Sequence, residues 1–373
     1  MTVGYFSPLP PAPTGVADYS AALLPHLDGV TLRQSGDVNL YHVGNNALHR
    51  DIYQRALAEP GVVVLHDAVL QHFFLGSLDQ AAYEEEFVYN YGEWSRGEAQ
   101  GLWRERARSG ADARYFARPM LRRIAETARA VIVHNPAAAR IVREHAPEAR
   151  ITEIPHLFVS PALPDAVEIL RLRECLGAGA RTLLIGAFGH QRETKRLAVL
   201  LRAFHRAIAG GANARLLVSG EFVSKAFART IEPLLQHPAI LRTGHLPEPE
   251  FWQYLDATDL CVNLRYPSAA EASGVAIRMM GIGKAVAFTN DQSIARFPET
   301  ACLRIDTGPA EEAMLTDYIT WLAKEPGVAA AIGRNAARHI EREHSPSKVA
   351  AAYTDVLRKT WELSFPSPSR TAR

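Results

Sequence analysis

Short apolar runs recur along the chain, each followed by a longer stretch with apolar residues at helical spacing. Residues 61–65 (GVVVL) and 130–133 (AVIV) are such runs in the first half. Residues 182–185 (TLLI), 215–219 (RLLVS), 260–264 (LCVNL) and 285–288 (AVAF) follow in the second. Each is too short for a helix and closes near Gly, His, Asn or Pro, which reads as a buried strand. Residues 2–6 predict another. Helices are predicted over 68–75, 198–209 and 249–257, and from near Val16 and Gly274. A last helix over 346–363 is announced by Ser345-Pro346, a cap followed by a first-turn proline.

Strand-helix alternation implies an α/β protein with parallel sheets covered on both faces. The alternation occurs twice. It divides the chain into a Rossmann-like domain over 1–156, a linker over 157–181 opened by LFVSPALPDAV, and a second Rossmann-like domain over 182–345. The helix over 346–363 and a polar, proline-containing tail over 364–373, expected to be disordered, complete it. The length of 373 residues agrees, since single cores rarely grow past about 250–300 residues. In such sheets ligands bind beyond the carboxyl ends of the strands, so the residues just after each strand are the ones to inspect.

Composition narrows the class. Hydrophobic residues at 47% and charged residues at 22% are ordinary for a globular protein. The net charge of +1 argues against a nucleic-acid partner. Cys175, Cys261 and Cys302 are far apart and form no CxxC pair, so neither a disulfide framework nor a zinc site is expected, and a reducing cytoplasm fits. The first ten residues lack the form of a signal peptide. No stretch reaches the roughly 18 apolar residues of a membrane span. Any membrane contact is then peripheral. Residues 96–150 hold twelve arginines against six acidic residues. They read either as a face for anionic lipid at the inner membrane surface or a phosphorylated carrier, or as a solvated helical region.

Four places combine position with chemistry. The loop PPAPTGVADYS at 10–20 runs from a strand into a helix, where Gly15 lets backbone approach a ligand and free N–H groups face it; a plain turn is the competing reading. His66 stands at the end of GVVVL, placed to hydrogen-bond a sugar hydroxyl, with Asp67 as the cap of the next helix; a structural histidine, one of 14 in the chain, is the competing reading. The stretch GAFGHQRETKR at 186–196 follows another strand. Gly189 permits a tight loop there, and Arg192, Lys195 and Arg196 bring positive charge to meet a diphosphate. Lys195 is one of only six lysines; the alternative is a solvated helix start. The strongest is NLRYPSAAEASGVAIRMMGIGKAV at 263–286. Ser273-Gly274 opens a helix whose N–H groups at Gly274, Val275 and Ala276 can hold an anion. Glu271 stands just before it, suited to accept bonds from sugar hydroxyls; the alternative is a carboxylate that only stabilises the helix dipole.

Several signatures are absent. GIGKA lacks the remainder of a Walker loop, and no GxGxxG follows a strand. There is no HExxH, no GxSxG elbow and no Asp-x-Asp, the usual divalent-metal anchor of metal-dependent sugar transferases. The acidic run 84–86 reads as a solvated helix face.

Together these pieces resemble the GT-B glycosyltransferases, specifically the retaining family 4 (group 1). The resemblance rests on PTGVADYS, LHDAVL, VIVHNPAAARIV followed by ITEIPH, FGHQRETKRLAVLLRAF, RTGHLPEPEFWQYLDATDLCVNLRYPS, EASG, GIGKAVAFTND and ARHIEREHSPSKVAAAYTDVL, in that order over nearly the whole chain. It implies two Rossmann-like domains with sheets facing a central cleft, and a C-terminal helix crossing back to the N-terminal domain. The N-terminal domain would serve the acceptor and the C-terminal domain the donor. It further implies that Gly15 and Gly189 admit the donor diphosphate and that His66 contacts the donor sugar. Lys195 would neutralise the departing diphosphate, and Glu271 would hold sugar hydroxyls. The backbone at Ser273, Gly274, Val275 and Ala276 would bind phosphate, and His245 and Leu246 would frame the base. The chain departs from the family twice. His190 stands where an arginine is usual, with Arg192 as a partial replacement. Met279 replaces the second glutamate that usually meets the ribose, with Arg278 beside it.

The expected activity is hexosyl transfer with retained configuration from a UDP- or GDP-sugar to an acceptor hydroxyl of a glycan, a lipid-linked glycan or another glycoconjugate. No metal or bound cofactor is expected. The alternatives are a nucleotide-sugar epimerase or phosphorylase on the same fold, and a non-catalytic sugar-nucleotide-binding protein.

Overall fold

The structure is a computed structural model and describes residues 1–364. The predicted disordered tail, apart from Ser364 at its start, lies outside the described residues. Among the described residues twelve strands form two six-stranded sheets, parallel throughout. The first holds β1 (Val3–Phe6), β2 (Val30–Leu32), β3 (Val38–Val43), β4 (Val62–Leu65), β5 (Ala130–Val133) and β6 (Ile151–Glu153), in the order β2-β1-β3-β4-β5-β6. The second holds β7 (Leu183–Phe188), β8 (Ala214–Ser219), β9 (Ile240–Thr243), β10 (Leu260–Asn263), β11 (Ala285–Thr289) and β12 (Leu303–Ile305), in the order β12-β11-β10-β7-β8-β9.

Every strand predicted from an apolar run is present. The five that were not predicted are β3 and the four sheet edges, β2, β6, β9 and β12. Edge strands are covered less completely and need no continuous apolar run; β2 and β6 hold no fully buried residue. β3 is central, but its run is broken by Asn39 and His42.

The chain forms two compact units. The first takes residues up to Leu157, Ala269–Ala272 and everything from Glu343. Its strands alternate between two buried faces, as the period of two in an extended chain requires. Tyr41, Val43, Val63, Leu65, Val131 and Val133 face a core with Tyr53, Phe73 and Phe87. Leu40, Val62, Val64, Ala130 and Ile132 face the other core, with Tyr19 and Leu23 of the first helix, Gly15–Leu23, and Val349, Tyr353 and Leu357 of the last, Pro346–Ser364. The last helix therefore returns to the first unit, as expected. The Tyr353 and Tyr19 hydroxyls are 2.8 Å apart beneath it.

The second unit takes Phe158–Ser268 and Ser273–Arg342. Ile185, Leu216, Val218 and Val262 pack on the helix Leu197–Ala209. Leu184, Leu217, Cys261, Val286 and Phe288 pack on the helix Gly274–Gly281. The stretch read as a linker carries a helix, Ala166–Cys175, capped by Asp165, whose carboxylate accepts from Val167 N at 2.7 Å.

Three local readings are corrected. The helix predicted over 68–75 is Gln71–Ser77. Ala68 N is already bound to Ala269 O and Leu70 N to Pro119 O, while Asp67 accepts from Asn45 N at 2.8 Å and the N-cap of the helix is Leu70. The acidic run is a solvated face only at Glu85, which is exposed. Glu84 and Glu86 are 9% and 8% exposed, and Glu86 is paired with Arg123 at 2.6 Å and bonded by Asn90. Burial nevertheless raises the Glu86 carboxyl above its usual range. Arg196 does not offer charge to a ligand, because its guanidinium is bound to Glu311, which is 1% exposed.

Candidate active site

In the second unit the chain runs β7 to β9 on one side, then β10 to β12 on the other. The switch lies between β7 and β10, where open parallel sheets bind their ligands. The loop after β7 is tightly built. Gly189 has φ +81° and Gly220, after β8, has φ +114°. A Cβ on Gly220 would sit 2.6 Å from Gly189 O, so only glycine fits there. Gln191 is 1% exposed, and its amide donates to Gly189 O (2.8 Å) and Ser219 O (3.0 Å), pinning the loop. Lys195 donates to Phe188 O at 2.6 Å, beside Gly189. Arg192 is exposed. His190 is held below its usual range by desolvation, then by the charges of Arg192, Lys195 and His245. Loop residues predicted from separate motifs thus converge. His245 is anchored by its backbone N–H to Glu221 at 3.2 Å, and Leu246 is half-buried next to it.

After β10, Tyr266 N donates to Thr194 O at 2.8 Å and ties this loop to the first. Ser273 caps the helix Gly274–Gly281, and its hydroxyl accepts from Ala276 N at 3.3 Å. Of the three N–H groups expected to face an anion, Ala276 N is therefore occupied. Those of Gly274 and Val275 remain. Arg278 lies over the Trp252 ring, 5.4 Å from its centroid, and 4.0 Å from Glu248. Met279 is fully buried in the core. At that position the chain packs rather than presenting a side chain to a ligand.

Glu271 belongs to the first unit with Ala269–Ala272. Ala269 O accepts from Ala68 N (2.7 Å), and Ala270 O from the Asn135 amide (2.7 Å). Asn135, 4% exposed, also caps the helix Pro136–His145 through Ala138 N (2.9 Å). Ala270 has φ +54° and is buried. A backbone so disfavoured persists only where surrounding contacts over-determine it. Within this clasp Glu271 accepts from Ala269 N at 3.0 Å. Gly15 opens the first helix with nothing within 4 Å of a would-be Cβ. The fold's own packing does not demand a glycine there.

His66 does not stand alone. His42 on β3, His66 after β4, His134 after β5 and His156 beyond β6 each stand two residues past a core residue of one sheet face, namely Leu40, Val64, Ile132 and Ile154. Their rings form a layer. Centroid separations are 5.2 Å for His42 to His66, 4.9 Å for His66 to His134 and 5.8 Å for His134 to His156. Tyr19 touches all four. Burial pushes His134 down to about 4 and holds His42 and His66 well below their usual range, helped by neighbouring histidines. His49, whose Nδ1 bonds His42 O, is pushed down to about 4 by burial. Among the described residues no group of three or more His, Cys, Asp or Glu is arranged to hold a metal ion. His42, His134 and His156 were not predicted. Their signal is an apolar residue, any residue, then His, repeated at four strand ends.

No protein-family model matches the chain, and no curated protein matches it. Solved structures do match. Sucrose-phosphate synthase from Thermosynechococcus elongatus is 16% identical, with 97% of this chain and 100% of that one covered and a TM-score of 0.66. Anabaena HepE in complex with UDP-glucose is 15% identical over 96% of this chain and 100% of that one, with a TM-score of 0.62. WaaG, a glycosyltransferase involved in lipopolysaccharide biosynthesis, is 13% identical over 98% and 100%, with a TM-score of 0.59. At such identities the likeness is one of fold. The chain has the GT-B fold of these glycosyltransferases.

Proposed function

We propose that the protein is a retaining glycosyltransferase of family 4. It moves a hexose-type sugar from a nucleoside-diphosphate-sugar to an acceptor hydroxyl in glycan or glycoconjugate synthesis, without a metal. The observation that carries the reading is at Gly189, beside the second sheet's switch point: a Cβ there would lie 3.1 Å from Lys195 Nζ and 3.9 Å from Val275 Cγ2, so the lysine stands close to the start of the helix Gly274–Gly281, with Arg192 and His190 in the same loop. Such a set matches a diphosphate. HepE's complex with UDP-glucose makes that the first donor to try.

In this reading Lys195 and the helix N–H groups take up the charge of the departing diphosphate, and the acceptor hydroxyl attacks the face it leaves, passing its proton to the diphosphate oxygen released from the sugar. The protein contributes electrostatic stabilisation rather than a covalent nucleophile. His66 and Glu271 hold the donor sugar, and His245 with Leu246 frames the base. Met279 is core, so ribose contacts come from elsewhere. The place of action is the cytoplasm, with a glycan or lipid-linked acceptor. Half of the twelve arginines in residues 96–150, namely Arg96, Arg114, Arg118, Arg122, Arg123 and Arg140, are committed to carboxylates, which leaves less charge for membrane attachment. No helix among the described residues is long and apolar enough to cross a membrane.

Calorimetry with UDP, UDP-glucose and GDP-mannose tests the donor. Binding of none of them defeats the reading. NMR of the product from an α-linked donor should show an α linkage, and a β linkage overturns retention. Loss of turnover in EDTA, restored by Mg²⁺ or Mn²⁺, overturns metal independence.

A further inference from the structure

The hydrogen bonds of the histidine layer determine which ring nitrogens carry hydrogen. His134 Nδ1 is 3.0 Å from Ile154 O, and His49 Nδ1 is 2.9 Å from His42 O. A carbonyl oxygen only accepts, so both rings carry their hydrogen on Nδ1 and leave a lone pair on Nε2. Both of those Nε2 atoms are buried without a partner.

The central pair is His42 Nδ1 and His66 Nε2, 2.9 Å apart. Suppose His66 donated. A neutral His42 would then carry its hydrogen on Nε2, which is buried without a partner. An orphaned buried N–H is a rarer defect than an unfilled lone pair, and unfilled lone pairs are what His49 and His134 already show. Suppose instead that His42 donates. Its Nε2 is then a third unfilled lone pair, and His66 keeps its hydrogen on Nδ1. His66 is half-buried whereas His42 is fully buried. The His66 nitrogen turned away from His42 is the one left to meet a ligand.

We infer that His42 is a positioning residue for His66: it donates Nδ1–H to His66 Nε2 and so fixes His66 as a ring that offers its Nδ1–H as a hydrogen-bond donor. A ring held this way cannot take a proton at Nε2 while His42 occupies that lone pair, and it has no lone pair at Nδ1. It is therefore a donor to an oxygen of the bound sugar and not a base for the acceptor hydroxyl. The consequence for turnover rests on the transferase reading above. The tautomer does not.

The test uses the full chain labelled with ¹⁵N-histidine, with His66→Gln to assign the His66 ring. Long-range ¹H–¹⁵N correlations should show a protonated Nδ1 and a bare Nε2 on His66; the reverse overturns the inference. His42→Phe fills the same space and removes the donor. It should release His66 into a mixture of tautomers and lower kcat/KM for UDP-glucose about tenfold, the worth of one buried hydrogen bond. His42→Asn can place an amide N–H where Nδ1 stood. It should restore the tautomer and bring turnover to within about twofold of the original. An unchanged His66 tautomer in His42→Phe overturns the positioning role. If His42→Phe does not fold, the spectra of the unsubstituted chain and of His42→Asn decide. The predicted tautomer in a protein that turns over no UDP-glucose would count against that donor or the transferase reading, and leave His42's role standing.

Discussion

The two sheets end in opposite chemistry. Four strands of the first run into histidine rings packed on Tyr19, of which His42, His66 and His134 are held below their usual range by burial. The second runs into glycine-bent loops where Lys195, Arg192, His190 and His245 lie in or near solvent. The difference teaches what each can offer. A dry, uncharged layer presents fixed dipoles with little solvent to screen them, which suits orienting neutral hydroxyls. A wet, cationic loop beside open N–H groups suits a ligand that brings its own negative charge.

The sharpest way to break this contrast is to remove charge from the second unit. Lys195→Ala should lower kcat by ~10²–10³-fold if the amine meets charge that develops as the diphosphate leaves. Glu271→Ala, which removes the sugar contact proposed for the first unit, should cost a similar factor. Near-normal turnover of either variant, measured with a saturating donor, would dissolve the proposed division.

Acid separates the units next. His49 and His134 are at about 4 in the folded protein, against an ordinary value near 6.5. The unfolded chain therefore binds more protons below about 6.5. The stability these rings confer is fully present above that pH and is lost as pH falls towards 4. Each contributes at most about 3 kcal/mol. Hydrogen exchange at pH 7 and pH 5 should show β3 to β6 losing protection at the lower pH before β7 to β11. Equal loss in both sheets would mean the buried rings do not set the acid limit.

The smallest effect concerns two glycines. Gly220→Ala should destabilise by about 1–3 kcal/mol through strain and the Gly189 clash. Gly15→Ala should stay within about 0.5 kcal/mol, because its Cβ meets nothing. If Gly15→Ala also leaves UDP-glucose affinity untouched by calorimetry, no ligand approaches that turn.

The architecture was legible because central parallel strands are buried on both faces and write themselves as apolar runs. The edges were not, since half-covered strands need no such run. Near the candidate site, the tight bend at Gly189 and the helix start at Ser273 were legible from the glycine and the Ser-Gly pair beyond the strands. Arg196 was misread because its partner Glu311 is far along the chain. Glu86 was misread because Arg123, which holds it, is distant as well. His42, His134 and His156 were missed because a single histidine after a strand is unremarkable; only the register of four neighbouring strands makes them one layer.

The strip Ala269–Ala272 carries a consequence for modularity. Four residues flanked on both sides by the second unit are folded into the first. No single cut in the gene can therefore deliver two self-sufficient halves. A second half grafted onto a foreign first half would bring Glu271 without Asn135 or Ala68 N–H, stranding the carbonyls of Ala269 and Ala270. On the proposed reading, donor specificity could not be exchanged as a cassette. The first half would have to supply a matching clasp, so the two halves of such a chain are constrained to change together.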